Sequence, residues 1–202
     1  MKKKIVAAAL ACILCIGVGI GGTLAWLTSE TGEVTNTFTV GDINITLQEH
    51  VYAPETNSLT SATTTTNSNY KYVPGDTMPK DPYVTVQANS EACWVFVKVT
   101  ETNNTATGLT GNVINWAVAE GWTQVTGKNV WYKQVSATTA DSEPMYILAN
   151  NQVTVNTGVT KAMVSGLTSA KPVLTFDAYA HQVDNTNLTD ATNAALAHWG
   201  LN

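Results

Sequence analysis

Side-chain alternation with a period of two, punctuated by Gly, Pro and Asn, runs through most of this 202-residue chain and leaves little room for helix. "NTFTVGDINITLQE" shows both the pattern and a break in it. Val34, Phe38 and Val40 occupy even positions, whereas Ile43, Ile45 and Leu47 occupy odd ones. A slip of one residue sends side chains to the opposite face of a sheet, so the chain must bulge or stop at Gly41-Asp42. Glycine permits either, and two strand segments are expected there rather than one.

The same reading extends downstream. "PETNSLTSATTTTNSNY" is polar and of low complexity, and is expected to be a loop or excursion. Pro74-Gly75 marks a turn, and "YVTVQAN" and "ACWVFVKVTET" follow as a pair of strands. In the second, Cys93, Val95, Val97 and Val99 face one way while Trp94, Phe96 and Lys98 face the other. Both faces are apolar over its first half, which predicts a central strand. Short strands with glycine turns are expected between Gly108 and Asn150, then "QVTVNTGVT" and "KPVLTFDAYAHQV" as two later strands. "NLTDATNAALAHWG" reads as a short helix, with Asn187 or Thr189 as N-cap and Gly200 as its stop. The predicted class is all-β, an antiparallel β-sandwich of jelly-roll type with one short C-terminal helix.

The N-terminus carries a different signal. "MKKK" is a positive n-region, "IVAAALACILCIGVGI" an apolar h-region, and "GGTLA" a small-residue approach to a cleavage site. Thr23 and Ala25 stand at −3 and −1 of a cut before Trp26. The apolar run falls short of the ~20 residues of a membrane span and ends in glycines. The expected organisation is a signal peptide at 1–25, an N-terminal strand segment at 26–41 and a β-sandwich domain at 42–202. Membrane association is expected only through the signal peptide before cleavage, and the destination is secretion to the cell surface or extracellular matrix.

Charge and cysteine content narrow the function. The formal charge is −5, and −8 once Lys2, Lys3 and Lys4 leave with the signal; every basic side chain is a lysine. An acidic body without clustered guanidinium groups is a poor partner for phosphate backbones, so no nucleic-acid binding is expected. Cys12 and Cys15 belong to the signal, and Cys93 remains as a small buried hydrophobe with no cysteine to pair with.

Catalytic motifs are missing: there is no H-E-x-x-H, no G-x-S-x-G and no phosphate-cradling glycine loop. His50, His181 and His198 are scattered, which predicts no metal site, and no cofactor is expected. "DNTNLTD" fails the calcium-loop pattern at Leu188 and reads as a turn with a helix cap. Asp177 sits between apolar neighbours in a strand, either partly buried or solvent-facing. The chain is not read as an enzyme. Trp116, Trp122 and Trp131 offer two readings, half-buried packing or a stacking surface for carbohydrate or a cell-wall polymer.

The N-terminal pattern resembles the TasA/camelysin (CalY) family of secreted Gram-positive proteins. Four features carry the likeness: the Gly21 to Ala25 exit, the aromatic residue at the cut, the "N-x-F-x-x-G-x-[IL]-x-[IL]" strand from Asn36 to Ile45, and a "PGD" turn (Pro74 to Asp76) before a strand. The first ~50 residues carry most of it. The resemblance implies a signal peptidase of SipW type acting between Ala25 and Trp26. It further implies a jelly-roll subunit of biofilm-matrix fibres, a homopolymer or a copolymer with related matrix subunits. In that family the N-terminal segment of one subunit can complete its neighbour's sheet. Here Val34, Phe38 and Val40 would make the subunit contact and Gly41 would be the hinge. The alternative within one molecule is that the same strand folds back onto its own sheet, the simpler state without a partner. The metal-dependent protease activity described for some camelysin-type members is not carried over, because the zinc-peptidase motif is absent.

Overall fold

A computed structural model describes residues 42–66, 70, 73–166, 171–183 and 186–201, with the side chains of 164–166 left out of account. The expected signal peptide at 1–25, the expected strand segment at 26–41 and their named residues (Ala25, Trp26, Val34, Phe38, Val40, Gly41) lie outside the described residues. The described residues all belong to one compact unit.

Eleven strands and two α-helices are described. The strands are β1 (Ile45–Ala53), β2 (Ser58–Thr64), β3 (Thr77–Pro79), β4 (Tyr83–Val86), β5 (Cys93–Thr102), β6 (Ile114–Asn115), β7 (Thr123–Gln124), β8 (Val130–Val135), β9 (Met145–Tyr146), β10 (Gln152–Val155) and β11 (Val173–Gln182). The helices are α1 (Lys161–Gly166) and α2 (Leu188–His198). Three sheets result, ordered β2-β1-β4-β9, β11-β5-β8-β7 and β3-β10-β6, and every strand pairing in them is antiparallel. The chain is therefore all-β in character, as its alternation predicts.

Two of the sheets lie face to face. Val84 and Val86 of β4 meet Cys93, Val95, Val97 and Val99 of β5 across a common core, flanked by Ile43, Ile45 and Leu47. The odd phase after Gly41 is thus the core-facing phase. The opposite face of β5 is covered as well, since Phe96 and Val130 pack on Ala191, Ala195 and Leu196 of α2. This double coverage explains why β5 is apolar on both sides, and β5 is central, between β11 and β8. The third sheet closes a core of its own around Met78, Ile114, Leu148 and Val153.

Helix α2 starts and stops where its sequence directs. Asn187 Oδ1 accepts from Asp190 N at 3.0 Å, an N-cap bond. At the other end Leu201 N donates to Leu196 O and Gly200 N to Ala197 O, with Gly200 at φ +63°. This is a Schellman stop, and Leu201 and Leu196 share one apolar cluster, the contact that usually accompanies it.

Two expectations need correction. The polar stretch after Pro54 is not a loop throughout: Ser58–Thr64 is β2, paired with β1 as Tyr52↔Leu59 and His50↔Thr63 with an irregularity between them. Threonine suits an exposed strand through its β-branch, and a solvated edge needs no apolar alternation. Asn57, at φ +47°, closes the turn, accepting from the Tyr52 hydroxyl and donating to Thr77 O. Secondly, β4 and β5 face each other from different sheets rather than pairing edge to edge. Phase fixes the face a side chain takes, not the strand beside it.

Candidate functional site

One sheet edge is left without a partner strand among the described residues. Strand β11 pairs with β5 over all ten of its residues, from Val173↔Thr102 to Gln182↔Cys93, without a bulge. No described strand pairs with its other side. The ladder polarity follows from its end: Val183 N donates to Ala92 O. Antiparallel bonding alternates, so the odd residues of β11 point their N–H and C=O groups at β5. The even residues Leu174, Phe176, Ala178, Ala180 and Gln182 therefore aim theirs outward. Edges of this length are usually blunted by proline, bulges or several charges. Between Val173 and Gln182 there is neither proline nor glycine, and Asp177 is the sole charge.

Side chains of β11 alternate between two environments. Phe176, Ala178 and Ala180 join the inter-sheet core, while Tyr179 packs on the α2 side. Asp177 is on that outer side, its side chain 45% exposed and 3.4 Å from Lys98 Nζ. A strand laid along this edge would meet an apolar inner face and a mixed outer one.

Beside the edge lies a shallow cavity of about 190 Å³, bordered by Leu47 and Glu49 of β1, Thr64 to Thr66, Lys80, and Val173 to Phe176. Its wall holds a buried ion pair, Lys80 Nζ to Glu49 Oε2 at 2.7 Å. The same ammonium sits over the Tyr70 and Phe176 rings, 5.2 and 5.6 Å from their centroids. Pairing and cation–π contact together offset the desolvation of a charge placed between sheets. The next residue after each of these forms a second pair, between His50 and Asp81. Asp81 accepts from the His50 backbone N–H at 3.0 Å, and its second oxygen lies 2.6 Å from His50 Nδ1.

The tryptophans are placed as packing elements. Trp116 and Trp131 meet edge to face, ring centroids 5.8 Å apart, and Trp116 Nε1 donates to Glu101 Oε1 at 2.7 Å. Trp122 Nε1 donates to Tyr146 O at 2.8 Å. All three are half-buried against the apolar cores rather than raised as open platforms. Their region is assembled from several short strands, so the sequence grouping is a spatial one, with the polar edges of Trp116 and Trp122 already committed.

Of the histidines, His181 and His198 flank Tyr179, with His198 stacked on its ring at 4.9 Å. His50 lies elsewhere, beside Asp81 and Tyr83. Among the described residues no group of three or more His, Cys, Asp or Glu side chains could hold a metal ion. Cys93 is fully buried, and burial pushes its thiol up to about 11, far from the range of a reactive thiolate. The buried Lys80–Glu49 pair and the open β11 edge are the two features that motif reading does not reach.

No protein-family model, curated protein or solved structure matches this chain.

Proposed function

We propose that this chain is a secreted structural protein that assembles into extracellular matrix fibres by β-strand addition. The N-terminal segment of one copy, carrying Val34, Phe38 and Val40, would pair with the β11 edge of the next. The observation that carries the reading is that edge: ten residues of regular strand with outward backbone groups and no proline, glycine or bulge to protect it. Main-chain hydrogen bonds would supply affinity. Side chains at alternate positions would supply register, since one face of an added strand would reach the apolar inner side of β11. Burying each of the three apolar residues would contribute ~1.5–3 kcal/mol.

Two four-stranded antiparallel sheets stacked on one core support a sandwich of jelly-roll type as the scaffold. The sequence before Trp26 supports export and cleavage, and the likeness to TasA/camelysin proteins supports the matrix setting. The partners would be further copies of this chain or related matrix subunits. Electron microscopy of the purified chain starting at Trp26 tests the reading. Thin fibres are expected, and a variant lacking Trp26 to Val40 should stay folded and monomeric. Equal assembly by the deletion variant would contradict the donor role of that segment.

A further inference from the structure

A second cavity, of about 330 Å³, adjoins the one beside β11 and shares Thr66, Lys80, Val173 and Leu174 with it. It is large enough for a small-molecule site, near the low end of the usual range of ~300–1,000 Å³. Met78, Ile114, Val153 and Leu174 give it an apolar wall drawn from three different strands of two sheets and from β6. Two lysines border it, and they differ. Lys80 is buried and matched by Glu49 at 2.7 Å. Lys171 is exposed at the rim, and no Asp or Glu among the described residues lies within salt-bridge distance of it. Val173, two residues further along the chain, is 47% exposed, one of two large apolar residues with such exposure among the described residues.

An apolar chamber bordered by an exposed lysine, with no carboxylate partner for it among the described residues, is complementary to an amphiphile with a single negative head. We propose that this cavity is a binding site for a single-chain acyl carboxylate, its hydrocarbon lying against Met78, Ile114, Val153 and Leu174 and its head group on Lys171 Nζ. Lys80 does not take the head group, because Glu49 already holds its ammonium. The site shares Val173 and Leu174 with the β11 edge but needs no added strand, so its test is made on the monomer.

Titration calorimetry on the mature monomer, with probes held below their micelle concentrations, tests the site. Decanoate should bind saturably at one per chain, and more tightly than decanol or decyltrimethylammonium. Lys171→Glu, a substitution at an exposed position, should weaken decanoate about tenfold while leaving the melting temperature unchanged. Leu174→Trp, which fills the chamber, should remove binding. If that variant fails to fold, the Lys171→Glu result decides. The proposal is overturned if decanoate shows no saturable binding, if decyltrimethylammonium binds as tightly, or if Lys171→Glu leaves decanoate affinity unchanged.

Discussion

Lys80 Nζ lies 2.7 Å from Glu49 Oε2, with the two side chains only 10% and 9% exposed. Glu49 belongs to β1 and Lys80 follows β3, so the pair ties a strand of one sheet to the segment leaving another; both residues border the first cavity and Lys80 borders the second as well. Breaking such a pair leaves a buried charge without a partner. Lys80→Met alone should therefore cost ~3–5 kcal/mol, whereas Lys80→Met combined with Glu49→Leu should cost far less. Urea unfolding of the two variants checks this, and the double variant should recover most of the lost midpoint.

Alkaline pH should weaken the fold, with a direction that follows from buried acids. The Cys93 thiol ionises near 9.0 when unfolded and only at about 11 when buried. Its contribution is present in full below pH 9 and is lost as pH rises through 11, because only the unfolded thiol can ionise in that window. Tyr83 and Tyr52 act in the same sense. Burial raises each hydroxyl first, and a nearby carboxylate adds to it, Asp81 for Tyr83 and Asp76 for Tyr52. The urea midpoint should fall steadily above pH 9, and Cys93→Ala should flatten the first part of that fall. At pH 8 the native thiol should resist a disulfide reagent that reacts at once in urea.

Asn187→Ala removes the side chain that accepts from Asp190 N. A lost N-cap costs ~1 kcal/mol. Because α2 covers Phe96 and Val130, the loss should appear as a lower melting temperature of the whole domain rather than as local fraying. Near-ultraviolet and far-ultraviolet circular dichroism should report the same midpoint.

The tryptophans give a test that separates packing from ligand binding. Trp122→Phe deprives Tyr146 O of its donor and should destabilise by roughly 1–3 kcal/mol. Titration of the intact chain with cell-wall glycans should leave tryptophan emission unchanged. A saturable change would revive Trp116, Trp122 and Trp131 as a carbohydrate surface.

Much of the fold was legible because burial acts locally on alternation. The odd phase of Ile43, Ile45 and Leu47, the two apolar faces of β5, and the Asn187 and Gly200 ends of α2 can each be read from neighbours in sequence. Glu49 continues that odd phase and could have been read as core-facing, yet its need for a buried cation only emerges when Lys80 is placed beside it. β2 escaped because an exposed strand has no apolar face to display. α1 escaped because six residues give too short a period to detect. Sheet order escaped for a deeper reason: which strand lies beside β11 depends on contacts remote in sequence. That no described strand lies on its other side could be seen only once the described strands were placed.

The most direct measurement uses the polarity of that edge. Ala178 aims its N–H away from β5, so proline at this position deletes a bond available to an added strand without removing one from the β5 ladder. Electron microscopy of Ala178→Pro beside the unaltered sequence, both starting at Trp26, with circular dichroism to verify folding, asks whether the β11 edge builds the fibre. Fibres are expected from the unaltered chain and folded monomers from the variant. Fibres of equal number and form from folded Ala178→Pro would contradict that role of the β11 edge.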